Sequence, residues 1–494
     1  MYWNTISWMR LFERWGHSMT NRPFDIGMIG LGEMGTNLAL NLSDHGFSVS
    51  GYDKSPDRVW ETSHKTHSRI RAFSELALFT QSLKVPRTVI LLVPAGPPVD
   101  AVLRDLRSWF IPGDLVIDGG NSHFRDTEAR IRRLAESGIS LIGMGISGGG
   151  TGARTGPSLM PGGDPEAYAR IRPFLETVAA RFNGDPCVAW LGPGSAGHYV
   201  KMVHNGIEYA LMQLIAETYD LMKRGLGLSN DRLHSIYREW NESELESYLL
   251  GITSNIFLRK DDETGNELID TILDEAGQKG TGKWTSQDAM DLGIPVPVID
   301  AAVSMRELSG SKRERQIAGR ILGEPDHAFT GESETFLKSL KNGFYCAATM
   351  AYAQGMNLLR GASGRYQYGF RLEEVTGIWR GGCIIRSAML ERIHSANLEN
   401  PDLKDLLTDS ELGKEILARE AGLRFVVRMA VSLGIPVPAM MASLAYFDGI
   451  RSAWLPANLI QAQRDYFGAH TYQRTDKEGS FHTEWESKDI IASQ

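Results

Sequence analysis

The sequence predicts an α/β domain followed by a large all-α domain with an internal duplication and a C-terminal tail. Two observations carry this. Short apolar runs alternate with helix-like segments over roughly the first two hundred residues, as a parallel sheet with crossover helices requires. From about Gly197 the pattern turns helical, and the hexapeptide Leu-Gly-Ile-Pro-Val-Pro occurs twice, at 292–297 and 433–438. Self-similarity at such a spacing marks a duplicated unit.

The first residues, to Asn21, are Trp-rich and lack an h-region or cleavage site. Residues 1–22 read as an extension, either a short amphipathic helix, a disordered end or a non-native start with Met19 the true initiator. The first strand runs Phe24 to Ile29. It leads into Gly30-Leu31-Gly32-Glu33-Met34-Gly35 and a helix over Thr36 to His45. Glycines between a strand and a helix permit a tight turn and bring backbone N–H groups up to a pyrophosphate. A second strand, Phe47 to Tyr52, ends at Asp53, near the spacing expected of a ribose-binding carboxylate. Further strands are expected at Thr88 to Val93 and Asp114 to Ile117. Two Gly-rich loops, Asp118-Gly119-Gly120-Asn121-Ser122 and Ser147-Gly148-Gly149-Gly150, follow strand ends, where open α/β sheets bind ligands. Asn121 suits cofactor or substrate; Ser147 suits a carboxylate. Residues 23–196 thus read as a dinucleotide-binding domain of the Rossmann type.

Residues 197–455 read as the helical domain and 456–494 as the tail. Its first helix carries Lys201-Met202-Val203-His204-Asn205-Gly206-Ile207-Glu208-Tyr209. Helical spacing puts Lys201, His204, Asn205 and Glu208 on one face, between apolar neighbours. A Lys and a Glu in a partly dry site exchange protons near neutral pH, because burial lowers one pKa and raises the other. At an offset of 140, Lys201 maps onto Lys341, and Phe344, Tyr345 and Ala348 stand where His204, Asn205 and Glu208 stand in the first copy. A face kept polar in only one of two copies argues for chemistry there.

The bulk properties narrow the classes. The chain has 494 residues and a net charge of −8, which disfavours nucleic acid or a membrane surface as partner. No apolar run approaches the length of a membrane span. Three cysteines without CxxC spacing fit a reducing cytoplasm. No His/Asp/Glu cluster has metal-ligand spacing, so no metal is expected.

The chain resembles the decarboxylating 6-phosphogluconate dehydrogenases of the pentose phosphate pathway and gluconate utilization, of the long-subunit type. The resemblance rests on Gly30 to Gly35, Ile117 to Ser122, Gly156 to Gly163, Lys201 to Tyr209, Gln278 to Trp284, Trp379 to Arg386 and Gln461 to Tyr472, and spans Phe24 to Trp485. It implies a cytoplasmic homodimer whose tail threads into the partner. It implies that Lys201 is the general base toward the C3 hydroxyl and Glu208 the acid that protonates the enediol. Asn121, Ser147, Gly148, Gly149, His204 and Asn205 would hold the sugar acid. Tyr209, Lys279, Thr281 and Arg306 would bind its phosphate, with Arg464 and His470 from the other subunit. The cofactor would lie on Gly30, Leu31, Gly32, Glu33, Met34, Gly35, Asp53, Lys54, Ser55, Val93, Pro94, Ala95 and Asn121.

Two positions depart from the NADP-specific members. Asp53-Lys54-Ser55 stands where they carry Asn-Arg-Thr, and Pro94 where they carry Lys. A carboxylate there favours a free 2′-hydroxyl, so NAD or dual use is expected beside NADP. A 3-hydroxyisobutyrate-type dehydrogenase would lack Lys279, Thr281, Arg306 and the Arg464–His470 tail. A non-catalytic, nucleotide-sensing paralogue would be expected to lose Lys201 or Glu208.

Overall fold

The computed structural model describes residues 22–65, 69–323, 325 and 327–485. The N-terminal extension falls outside them except for Arg22. The chain forms two compact units, one to Ala442 and one from Ser443.

The first unit opens with seven strands: β1 (Ile26–Ile29), β2 (Val49–Tyr52), β3 (Ile70–Phe73), β4 (Thr88–Leu91), β5 (Leu115–Asp118), β6 (Ser140–Ser147) and β7 (Ser158–Gly162). Their order is β3-β2-β1-β4-β5-β6-β7. β1 to β6 pair parallel and β7 is antiparallel to β6. Successive residues feed opposite faces: Met28, Ile90, Ile117 and Ile142 enter one core, Ile29, Leu91, Val116 and Leu141 the other. Both faces are therefore covered, as parallel sheets require. The strand order reverses between β1 and β4, so a ligand crevice opens at their carboxyl ends. The helix after β1, α1 (Glu33–Asp44), begins three residues before the expected Thr36, inside the glycine turn.

Helix α2 (Ala196–Asp220) is the hinge of the molecule's chemistry. Its first turn lies against the sheet. A Cβ on Gly197 would come within 2.2 Å of Met160 O and 2.4 Å of Gly143 O. A Cβ on Gly145 would stand 2.3 Å from Lys201 Cβ. Glycine at these positions lets the helix seat Lys201 beside the end of β6. The helix α3 (Ser333–Tyr366) crosses α2 where Gly355 meets Ile207; a Cβ there would lie 2.4 Å from Ile207 Cδ1.

The repeated hexapeptide has a structural reason. Gly293 and Gly434 adopt φ of +67° and +65° and end helices Thr281–Leu292 and Glu420–Leu433. Pro297 and Pro438 then start the next helices. The hexapeptide is a stop-and-start cassette, Gly past one helix end and Pro at the next helix start. The two copies also touch at equivalent residues. Ser247 and Ser387, 140 apart, form an antiparallel bridge, with Tyr248 N–H donating to Arg386 O (3.1 Å) and Ala388 N–H to Glu246 O (2.8 Å). Each copy's long helix also caps a helix of the other. Buried Glu217 accepts from Ala439 N (2.8 Å) and Met440 N (2.9 Å), and Gln354 accepts from Val298 N (3.0 Å).

In the second unit, buried Asp465 lies on the helix Ala457–Gly468. It accepts hydrogen bonds from Thr471 N, Thr483 N, Trp485 Nε1 and the His482 ring, all at 2.9–3.1 Å.

Candidate active site

Three loops line the crevice at the carboxyl edge of the sheet. Gly30 turns with φ +94°, and a Cβ there would sit 2.4 Å from Leu92 O. A Cβ on Gly35 would lie 1.8 Å from Gly30 O, so the helix closes directly on the turn. Gly32, the N-cap of α1, is open: the nearest atom to a Cβ would be Arg58 Nη1 at 3.9 Å. That open face and the free N–H groups behind it fit a dinucleotide's pyrophosphate. Leu31 N–H donates to Asp53 Oδ2 (2.9 Å) and Ser55 N–H to Asp53 Oδ1 (2.9 Å). Arg58 Nη1 lies 3.5 Å from Asp53 Oδ2, whereas Lys54 turns to Asp105. Glu33 packs beside Gly150, Met34 against the sheet core, and Asn37 Nδ2 donates to Gly150 O (3.0 Å).

The loop of Val93, Pro94 and Ala95 runs between this turn and the next. Val93 contacts the Gly30 position through its side chain and the Gly120 position through its carbonyl. Asp118 shapes the third loop by accepting from Gly120 N (3.1 Å) and Ser122 Oγ (2.6 Å). Buried Arg130 ties the two loops together, donating to Ser122 Oγ (3.2 Å), Gly96 O (3.1 Å) and Asp100 (2.8 Å). Asn121 is left exposed at the tip.

The polar face of α2 meets the end of β6. His204 Nε2 lies 3.1 Å from Ser147 Oγ, which accepts from Ile384 N (3.2 Å). His204 Nδ1 lies 3.1 Å from Asn205 Oδ1, and Asn205 Nδ2 donates to Thr281 Oγ1 (3.0 Å). Burial holds the imidazole well below its usual pKa, hence neutral. An amide oxygen only accepts, so the proton sits on Nδ1 and the Ser147 hydroxyl donates to Nε2. Lys201 Nζ is 3.5 Å from the same Nδ1. Burial lowers the Lys201 pKa, against the pull of Glu208. Burial also raises the Glu208 pKa, against Lys201 and Arg306. Glu208 Oε2 is 3.8 Å from His204 Nδ1. Gly148 (φ +128°) and Gly149 (φ +63°) continue the chain past Ser147. A Cβ on Gly148 would strike Gly382 O at 2.4 Å, whereas Gly149 is open.

One turn further, the Arg306 guanidinium stacks on Tyr209, 3.5 Å from the ring centroid. Tyr209 packs on Gly282, beside Thr281 at the start of its helix. Lys279 is exposed two residues before Thr281. Thus Ser147, Lys201, His204, Asn205, Glu208, Tyr209, Thr281 and Arg306 form one connected group. Arg464 and His470 lie in the second unit. Arg464 Nη1 donates to Gln461 Oε1 (3.1 Å), and His470 stands between Ala469 and Thr471, both with positive φ.

Sequence reasoning missed Arg58, Arg130, Ile384 and Trp379, whose ring meets His204 edge-on at 5.6 Å. Ile384 and Trp379 lie in the Trp379–Arg386 stretch that carries the resemblance, without a role assigned to either. Arg58 and Arg130 carry no local pattern that separates them from surface arginines.

A dinucleotide crevice running into a buried lysine, carboxyl and cationic pocket defines a dehydrogenase for an anionic substrate. The NAD binding domain of 6-phosphogluconate dehydrogenase matches residues 25–192, and the 6-phosphogluconate dehydrogenase C-terminal domain matches residues 197–485. The chain belongs to the 6-phosphogluconate dehydrogenase family. It is 48% identical over 462 residues to the NADP(+)-dependent, decarboxylating 6-phosphogluconate dehydrogenase of Bacillus subtilis, covering 93% of this chain and 98% of that one. It is 47% identical over 462 residues to the decarboxylating enzyme of Salmonella typhimurium, with the same coverage. Plasmodium falciparum 6-phosphogluconate dehydrogenase, solved as the apo form and with NADP+ or 6-phosphogluconate, superposes with a TM-score of 0.90 at 44% identity. That match covers 93% of this chain and all of the other.

Proposed function

We propose that the protein converts 6-phospho-D-gluconate to D-ribulose 5-phosphate and CO2 while reducing a nicotinamide dinucleotide. The observation that carries the reading is the single buried face of α2, where Lys201 and Glu208 have pKa values displaced in opposite directions around a neutral His204. Tyr209, Arg306, Thr281 and Lys279 supply the stacked guanidinium, ammonium and hydroxyl donors that a phosphate needs. Ser147, His204, Asn205 and Asn121 are placed to hold hydroxyl and carboxylate oxygens.

In this reading Lys201, whose pKa burial lowers, takes the proton from the C3 hydroxyl. The bound nicotinamide supplies the hydride acceptor. Lys201, now an ammonium, and Asn205 polarise the new C3 carbonyl, and the β-keto acid loses CO2. Glu208, whose pKa the same environment raises, gives a proton to the enediol carbon. The same environment moves the two pKa values toward each other, the direction that acid–base work near neutral pH needs.

Arg464 and His470 complete the phosphate site from the partner of a homodimer, a reading supported by resemblance. Three buried free thiols suit a reducing cytoplasm. No described helix is long and apolar enough to cross a membrane. NADP is the cofactor the B. subtilis relative supports, and Asp53 adds NAD as a second one. The test is a steady-state assay of the purified protein with 6-phosphogluconate and each dinucleotide, measuring reduced nicotinamide and CO2. Reduction without CO2, or no turnover with either dinucleotide, overturns the reading.

A further inference from the structure

We propose that Arg58 is the residue that reads the cofactor's 2′ position, and that it provides the 2′-phosphate ligand that Lys54 does not. The inference rests on the dinucleotide reading of the crevice. Three observations carry it.

Lys54, next in sequence to the ribose carboxylate, is paired with Asp105 and not with Asp53. Its ammonium is 3.5 Å from Asp105 and its side chain is 65% exposed. Arg58, by contrast, reaches back from the first turns of the helix Pro56–Lys65. Its Nη1 is 3.5 Å from Asp53 Oδ2 and 3.9 Å from where a Cβ would stand on Gly32. It therefore lies between the open glycine face after β1 and Asp53 at the end of β2, where the adenosine ribose of a dinucleotide lies. Finally, each Asp53 oxygen already accepts a backbone N–H, from Leu31 and from Ser55. These bonds fix the carboxylate, and the pair's other member, Arg58, is 57% exposed.

A guanidinium so placed has two uses. With NAD, it stays paired with Asp53, which accepts from the free 2′-hydroxyl through remaining lone pairs. With NADP, its planar fork swings onto the 2′-phosphate and offsets the repulsion from Asp53. One carboxylate and one arginine thus give a site that accepts both dinucleotides, with the arginine setting how well the phosphate is tolerated.

The test compares 2′,5′-ADP with 5′-AMP, which differ only in the 2′-phosphate, by calorimetric titration of the full-length protein. Arg58→Ala should weaken 2′,5′-ADP about tenfold or more and change 5′-AMP less than about threefold. Arg58→Lys should fall between wild type and Arg58→Ala. In the 6-phosphogluconate assay, KM for NADP should rise with kcat little changed. Equal weakening of both nucleotides would mean that Arg58 serves the turn or the 5′-phosphate, and would overturn the proposal. So would a larger loss of 2′,5′-ADP affinity in Lys54→Ala than in Arg58→Ala. If wild type bound neither nucleotide, the dinucleotide reading itself would fail.

Discussion

Lys201 is buried against Gly145, with His204 Nδ1 as its near neighbour, and burial disfavours its charged form. That makes it an efficient base and ties its removal to the oxidation step. Lys201→Met should lower turnover about 10²–10⁴-fold while cofactor affinity stays near wild type. A variant turning over near the wild-type rate would remove Lys201 from the mechanism. Glu208→Gln keeps the shape of the side chain but cannot supply the carboxyl proton. Turnover should drop and the limb of the pH–rate profile that reports the acid should disappear. An unchanged profile would leave Glu208 as a structural neighbour of His204. These residues were legible in the sequence because helical spacing alone gathers them. Arg58 was not, because a five-residue separation across a strand end and a helix start has no fixed geometry until the turn folds. Lys54, placed on the cofactor side by resemblance, lies 3.5 Å from Asp105, which another helix brings up.

At the scale of elements, the short strands were readable where three consecutive residues are large and apolar, as in β4 and β5. The edge strand β3, Ile70-Arg71-Ala72-Phe73, was missed because only its two ends are buried. The duplication was legible as a repeated hexapeptide, and the folded chain explains it as a helix stop joined to a helix start. The exchanged caps were not legible, since nothing local marks Glu217 or Gln354. They differ in one testable respect. Burial pushes the Glu217 carboxyl up to about 7, against the Ala439 and Met440 N–H groups that favour its charge. A carboxyl raised in the fold contributes stability that is complete below its unfolded pKa, about 4.5, and is lost as pH rises through about 7. The loss amounts to roughly 3 kcal/mol, at about 1.4 kcal/mol per unit. Glu217→Gln should therefore flatten the fall in Tm between about pH 5 and pH 8. An equally steep fall in the variant would show that other groups set the pH dependence.

For the whole molecule, the decisive question is whether the tail's Arg464 and His470 complete another subunit's phosphate site. Mixing Arg464→Ala chains with Lys201→Ala chains should restore activity, because a heterodimer then holds one intact site. Absence of recovery in verified heterodimers would confine each site to one chain. A second consequence concerns how the first unit comes to be folded at all. The cap on Ala439 and Met440 comes from 222 and 223 residues earlier, and the cap on Val298 from the opposite copy. Each copy thus supplies a cap that the other lacks, at about 1 kcal/mol each. Such distant closures make for slow, all-or-none assembly. A chain cut between the copies should yield two pieces whose helical-domain segments are less helical apart than in the mixture, read by circular dichroism; helix content that is simply additive on mixing would show that the exchanged caps are dispensable.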